Sequence, residues 1–457
     1  MSFGPIPQAV SIAIQQNFLQ REFEKALLSV LKYRLLATKE TFSARIGETI
    51  TKTRVGLMIP NLNPLNPQTN TNLDNGLSPS QYTSEQYTLG VAQYPQLAPD
   101  VNLADNQTTI ADFIMKNAFN LGYVQAQVTE RLSRNALFNA YLSGNTRVTA
   151  TLGAPATTVE VDDTRGFQTV VVNGVVTAVS PSNPLPVKID GVTYSVTGYA
   201  NDSVNVSSAA VTGGTSGTIT TSANVSTTNA TAGNSVIGTY APLVLRPNAR
   251  PTTANLSGSD ILDMPTCFAA VSALRSNGVP DDNGFYNFLL SPDSMTQLFN
   301  DTQFQILNRG VGTQDPNYKH LNVTEFLGMR FIPTTEAFVQ PDNGNGVSET
   351  IQRPIVCGKD LLIEGQFDSA KDAILEMVRS IGPGEAYEKG QVFPVAGYDG
   401  YWQYMRGPLD RLGQIISQTS NWIGGYVVPT DVGTTSQQIP TASQAYYKRA
   451  VIIETAS

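Results

Sequence analysis

The chain has 457 residues, 29 lysines and arginines against 37 acidic residues, and a formal net charge of −8. It holds one histidine, two cysteines and 14% charged residues, well under the roughly 25% of ordinary soluble proteins. These numbers exclude a disulfide scaffold and His-rich metal sites, and they argue against a sequence-reading DNA-binding protein.

No apolar run approaches the ~18–20 residues that cross a bilayer, so no membrane contact is expected. The N-terminus lacks a basic region before Arg21, and Pro5, Pro7, Gln15 and Gln16 interrupt its apolar stretch. That is not a secretory signal, and the chain is expected in the cytosol. Single cores stop growing near ~250–300 residues, so two or three packing units are expected. Low charge also suits a surface buried against other chains, whose interface cores are charge-depleted.

In chain order, residues 11–40 read as a helix, with Leu19, Phe23, Leu27, Val30 and Leu31 near helical spacing. Arg21, Lys25, Lys32, Arg34, Lys39, Arg45, Lys52 and Arg54 face only Glu22, Glu24, Glu40 and Glu48, a net of +4. This is either a solvated face or a contact surface. Strand signals follow at 48–55 and 86–91, joined by a polar connection of ~30 residues, far longer than most loops. No lysine or arginine lies between Arg54 and Lys116, whereas Asp74, Glu85, Asp100, Asp105 and Asp112 do.

Residues 108–142 carry the strongest helix signal, with Ile110, Ile114, Ala118, Leu121, Val128, Leu132 and Ala136 on one stripe. From Thr146 to about Tyr240 the chain turns Thr/Val/Ser/Gly/Asn-rich. Strand signals at 158–161, 169–172, 187–196, 204–207 and 217–220 alternate with turn pairs. This reads as an inserted all-β module, with 203–245 either folded or a flexible linker. Beyond Ser259 the pattern becomes α+β. Helices are predicted at 261–276 and from Ser291-Pro-Asp through Phe299, and strands at 286–290, 326–332, 354–357, 361–364, 392–395 and 452–454.

Chemistry is sparse. Nucleophile elbows, Walker loops and dinucleotide loops are absent. His320 has no recognisable Ser or Cys partner motif, and the pairs Asp162/Asp163 and Asp281/Asp282 read as solvated turns. Trp402, Tyr398, Tyr401 and Tyr404 form an aromatic group that suits core or subunit-interface packing. No catalytic residue, cofactor or metal site is expected, and the chain reads as a non-enzyme.

The order of parts resembles the major capsid proteins of tailed bacteriophages, the Hong Kong 97 fold. The likeness continues through Asp260-Ile-Leu-Asp, Val271-Ser-Ala-Leu-Arg, Gly278-Val-Pro280, Phe288-Leu-Leu-Ser-Pro-Asp293 and Phe326-Leu-Gly-Met-Arg-Phe-Ile-Pro333. It covers most of the chain outside 146–243. The resemblance implies an α+β capsid fold with an N-terminal arm (1–45), an extended loop (46–100), and a peripheral domain with its spine helix (101–145). An inserted all-β domain (146–243) and an axial domain with returning peripheral strands (244–457) follow.

The resemblance further implies a homo-oligomer of pentamers and hexamers in an icosahedral shell, assembled in the host cytoplasm and located in the virion. Packaged double-stranded DNA would be touched only non-specifically. A portal is implied and a decoration protein is compatible. No leading segment reads as a scaffold, so a separate scaffolding protein is expected. The founding member cross-links through a loop lysine. Lys52 and Lys116 only bracket this loop, so a non-covalent shell is expected. Inter-subunit contacts are expected from Arg21, Lys25, Lys32, Arg34, Lys52 and Arg54 on the arm side, and from Asp74, Glu85 and Asp100 on the loop side. Two other readings stay open: another virion or surface protein with a carbohydrate-binding β domain, and a hydrolase built on His320.

Overall fold

The computed structural model describes residues 21–26, 31–42, 49–60, 62, 84–102, 113–172, 175–202, 215–308, 325–341, 343, 349–367, 392–406, 415–431 and 438–457. Long-range sheet pairing gathers the chain into two units. One comprises 1–51, 88–136 and 362–427, the other 52–87, 137–361 and 428–457. The mixed helix-and-sheet class follows the sequence expectation.

In the first unit a 13-residue strand, β24 (Ile415–Val427), is the axis of the sheet. One edge pairs with β23 (Tyr401–Arg406), which pairs in turn with β22 (Val392–Tyr398). The other edge is shared by β21 (Leu362–Phe367), β4 (Ala92–Leu97) and β5 (Val101–Asn102). Outermost lies β1 (Ala37–Phe42), parallel to β21 from Ala37↔Leu362 to Phe42↔Phe367. Only residues 21–26 of the expected arm helix are helical among those described. Arg34–Leu36 is a single 3-10 turn, and 37–42 is strand instead of helix. Pairing with a partner some 325 positions away overrides the local helical spacing, a tertiary effect that propensity does not capture.

Helix α1 (Phe113–Tyr141) spans 29 residues, close to the span expected. Its buried face departs from the apolar stripe. Ala118 and Leu121 are buried, but so are Gln125, Thr129, Glu130 and Ser133, while Val128 and Leu132 are only half-buried. Phe23 packs so close to Gly122 that a Cβ there would stand 2.8 Å from the Phe23 carbonyl oxygen. Phe23, Leu31, Ala126, Tyr401 and Trp422 form the local core, with Trp422 stacked between Tyr94 and Tyr426.

The second unit contains the β module. Its strands are β6 (Asn145–Arg147), β7 (Ala156–Val161), β10 (Leu185–Ile189), β11 (Val192–Asn201), β12 (Gly217–Val225) and β13 (Ser235–Gly238). They run antiparallel in the order β6-β13-β10-β11-β12-β7. A Val148↔Val161 bridge and the bonds Asp162 N–H to Arg147 O and Thr149 N–H to Glu160 O join β6 to β7. The sheet therefore closes into a six-stranded barrel, which removes exposed strand edges. Alternate inward residues, among them Val159, Val161, Val187, Ile189, Val196, Ile219 and Val236, fill it. A separate hairpin, β8 (Thr169–Val172) with β9 (Val175–Ala178), follows β7 in the chain. Because β12, β13 and β14 (Val244–Leu245) belong to sheets, the linker reading fails for 217–225, 235–238 and 244–245.

The same unit holds a sheet ordered β14, β25 (Ala450–Ile453), β20 (Ile355–Cys357), β15 (Tyr286–Leu290), β17 (Met329–Pro333) and β16 (Glu325–Phe326). Helices α2 (Met264–Ser276) and α3 (Pro292–Asn300) pack on it through Cys267, Ala270, Leu274, Met295 and Leu298. Asp263 and Ser291 cap the two helices, each with proline in the first turn, the second as Ser291-Pro292 suggests in the sequence. The predicted strand 326–332 is instead a hairpin, β16–β17, turning at Leu327 and Gly328, both with positive φ. Leucine rarely adopts that conformation, so the turn carries no sequence signal.

Candidate functional site

The residues expected to make assembly contacts fall into two groups: those locked into their own chain and those left at the surface. Arg34 belongs to the first. Its 3-10 turn presents the backbone N–H groups of Lys32, Tyr33 and Arg34 to the Glu130 carboxylate of α1, at 2.9, 2.6 and 3.3 Å. The carboxylate thereby satisfies donors that a short helix leaves open. The Arg34 guanidinium grips Glu364 in two bonds of 2.8 and 2.6 Å and reaches Asp399 at 3.0 Å. It also lies 4.5 Å over the Tyr401 ring, whose hydroxyl is 2.7 Å from the Thr129 hydroxyl. Lys39 adds a second cation on Asp399, in the Asp399-Gly400 turn. Burial opposes the charge on Arg34, but Tyr401 and Glu364 raise its pKa above the ordinary value. Burial likewise pushes the Tyr404 hydroxyl up to about 12.

This arrangement corrects one expectation. Arg34, 2% exposed, is an internal anchor, not a surface cation for a neighbouring chain. Its guanidinium is committed because two carboxylates and an aromatic face converge on it.

The hairpin of β2 (Thr49–Val55) and β3 (Ser84–Gly90) forms as expected. Its base is also tied down. Arg54 bonds Asp431 at 3.4 Å and the Asp360 carbonyl at 3.2 Å, and Arg449 bonds Asp431 at 2.8 Å. Glu85 is buried, and its charge helps raise the pKa values of Tyr446 and Tyr447. Lys448 is buried too, and burial lowers its pKa against the pull of Asp431 and Glu85. Arg54 thus braces the hairpin within its own chain, with Glu85 buried beside it. Glu85 is removed from the set of surface contacts for that reason.

Arg21, Lys25 and Asp100 are exposed, Lys32 and Lys52 are half-buried, and Asp74 lies outside the described residues. Beside the hairpin base sequence reasoning missed a different feature. Val55, Leu57, Met58, Ile59 and Leu62 are 61, 58, 48, 43 and 88% exposed. Five large apolar side chains within eight positions are far more than scattered surface hydrophobics, and such patches mark interaction sites. The signal was present as Val55-Gly-Leu-Met-Ile-Pro60, immediately after the last charged residue of β2.

Asp162 and Asp163 are buried, not solvated turns. Asp162 meets Arg147 at 2.9 Å and Asp163 meets Arg165 at 2.6 Å. The aromatic group resolves into core packing for Tyr401 and Tyr404, which are buried. His320 lies outside the described residues. Among the described residues no cluster of His, Cys, Asp and Glu is arranged to hold a metal, and no helix is long and apolar enough to cross a membrane. A cavity of about 200 Å³ lies beside the barrel, lined by Asn139, Arg165, Gln168, Tyr240, Tyr446 and Tyr447 among others. Tyr240 and Tyr446 stack there at 4.6 Å.

Neither a protein-family model nor a curated protein matches the sequence. Solved structures with similarity include phage capsids. The capsid of Ralstonia phage GP4 aligns over 92% of this chain and 87% of its own, at 11% identity and TM-score 0.47. The cyanophage Pam1 capsid aligns over 91% and 88%, at 12% identity and TM-score 0.46. The cyanophage P-SCSP1u capsid aligns over 92% and 87%, at 12% identity and TM-score 0.44. With TM-scores below 0.5, these likenesses assign no function by themselves.

Proposed function

We propose that this chain is the major capsid protein of a tailed phage, a shell subunit that self-assembles into the icosahedral head around double-stranded DNA. The observation that carries the reading is the exposed apolar leg, Val55 to Leu62, on a hairpin whose base is braced within its own chain. Such a leg suits burial against another subunit. Support also comes from the order of parts: an arm strand, a two-stranded reach, a 29-residue helix, a barrel and an α+β sheet. The role is structural, not enzymatic.

In this reading residues 1–45 are the arm, 46–100 the extended loop and 101–145 the peripheral domain. Residues 146–243 are the inserted domain, and 244–457 the axial domain with returning strands. Association is mainly apolar. Fully burying a large aliphatic side chain contributes about 1.5–3 kcal/mol, against about 0–1 kcal/mol for a surface ion pair. Arg21, Lys25, Lys32, Lys52 and Asp100 then tune the fit, with Asp74 assigned to the same loop, while Arg54 stays committed to Asp431 in its own chain. Scaffold and portal proteins are the heterologous partners, a decoration protein is compatible, assembly takes place in the host cytoplasm, and the head is the final location.

Electron microscopy of the purified protein, alone and co-expressed with its native scaffold, tests the proposal: closed shells or capsomers are expected. A second reading, a carbohydrate-binding virion protein, draws on the tyrosine-lined cavity beside the barrel. It predicts saturable glycan binding by a species that stays small.

A further inference from the structure

Where the barrel meets the rest of its unit, a cavity of about 30 Å³ is lined by Arg147, Asp162, Arg246, Thr253, Gln340 and Asn343, among others. That volume admits one or two particles the size of water. The hydrogen bonds around it are unevenly distributed. Arg147 Nε donates to Asp162 Oδ2 at 2.9 Å, leaving its two Nη groups uncommitted among the described residues. Arg246 spends Nε on Glu454 at 2.7 Å and Nη1 on the Pro251 carbonyl at 3.0 Å, leaving Nη2. Behind them Arg353 is fully buried, with Nε on Glu454 at 2.9 Å and Nη2 on Gln340, while its Nη1 has no partner. Among the described residues around the cavity, the buried Asp162 Oδ1 is an acceptor without a hydrogen-bond partner.

Donors therefore outnumber acceptors. Among the described residues, the three guanidinium groups at or behind the cavity are paired with two carboxylates, Asp162 and Glu454, one positive charge more than negative. Buried charge without a counter-charge is costly. Water brings donors and acceptors in equal number and no charge. A small anion brings acceptors only, together with the missing negative charge.

We propose that this cavity binds a small monovalent anion of the halide class, held by Arg147 and Arg246, which staples the barrel to the segments carrying Arg246, Thr253, Gln340 and Asn343. Asp162 modulates it. Burial pushes its carboxyl up to about 6, against the pull of Arg147 and Arg353 and with the push of Asp163. Arg246 and the ionised Glu454 complete the charges around the cavity. Below that pH Asp162 is neutral and turns from a competing acceptor into a donor, so the anion binds more tightly in mild acid.

The test is thermal unfolding of the full-length protein in sodium bromide against sodium gluconate at equal ionic strength, at pH 5 and pH 8. Bromide should raise Tm with a saturable concentration dependence, as mass action requires of a ligand bound only by the native state. Asp162→Asn should lower the half-saturating bromide concentration at pH 8 by roughly tenfold or more, because a like charge is removed nearby. Arg147→Met should abolish the effect. If Arg147→Met does not fold, Asp162→Asn, which keeps the shape, decides the question alone. A bromide-soaked crystal should show an anomalous peak between Arg147 and Arg246. Superimposable bromide and gluconate curves for wild type and Asp162→Asn, or a cavity without that peak, would overturn the proposal.

Discussion

At the scale of single residues, each unit has its own buried ion network. Arg34, Glu364 and Asp399 anchor the turn before β1, and Glu454 sits between Arg246 and Arg353 at 2.7 and 2.9 Å. Such groups are less a source of stability than a liability once broken, because the surviving charge stays buried. Arg34→Met should therefore cost about 3–5 kcal/mol in urea unfolding, whereas an exposed arm cation such as Lys25→Met should change it by less than about 0.5 kcal/mol. Burial alone would raise the Glu454 pKa, but Arg246 and Arg353 hold it at about 2, below the ordinary 4.5. A carboxyl depressed in the folded state binds its proton more readily when unfolded. Its contribution is thus complete above pH ~4.5 and is lost as pH falls from there toward 2. Acid titration of unfolding should show that loss, and Glu454→Gln should be less stable at neutral pH with a flatter profile between pH 5 and 2.

At the scale of elements, the barrel depends on its neck. Gly166 has φ +82°, and a Cβ there would stand 2.3 Å from the Gly144 nitrogen. Gly166→Ala combines a left-handed backbone cost of about 1–2 kcal/mol with a clash against backbone that cannot swing away. Loss of hydrogen-exchange protection in β6 and β13, with β15 and β20 unaffected, is the expected readout. The elements also show what the sequence makes legible. Local signals were sufficient for β15, α3 with its Ser291-Pro292 start, and the span of α1. They misled at 37–40, where a distant parallel partner decides, and at 326–332, where a leucine takes positive φ. They also misplaced the buried face of α1, because Glu130 is buried for the sake of three backbone N–H groups that no periodicity registers. The candidate contacts divided similarly. Charge asymmetry was visible, but which charges are consumed internally depends on Glu364, Asp399 and Asp431, all more than 300 positions away.

At the scale of the whole molecule, low charge and the exposed leg point to the same behaviour, a chain finished only by its neighbours. Repetition around a closed shell makes modest contacts collectively strong through raised effective concentration. The apolar leg is the most direct handle on that claim. Leu57→Asp with Ile59→Asp places two charges where burial is proposed, at positions 58 and 43% exposed whose change leaves the cores intact. The deciding measurement is electron microscopy of the full-length protein, wild type and this double variant, each expressed with the native scaffold. Wild type should give closed shells or pentameric and hexameric capsomers, and the variant only small particles with an unchanged circular dichroism spectrum. A wild-type protein that stays small and monodisperse with scaffold present, or a double variant that assembles as well as wild type, would contradict the account.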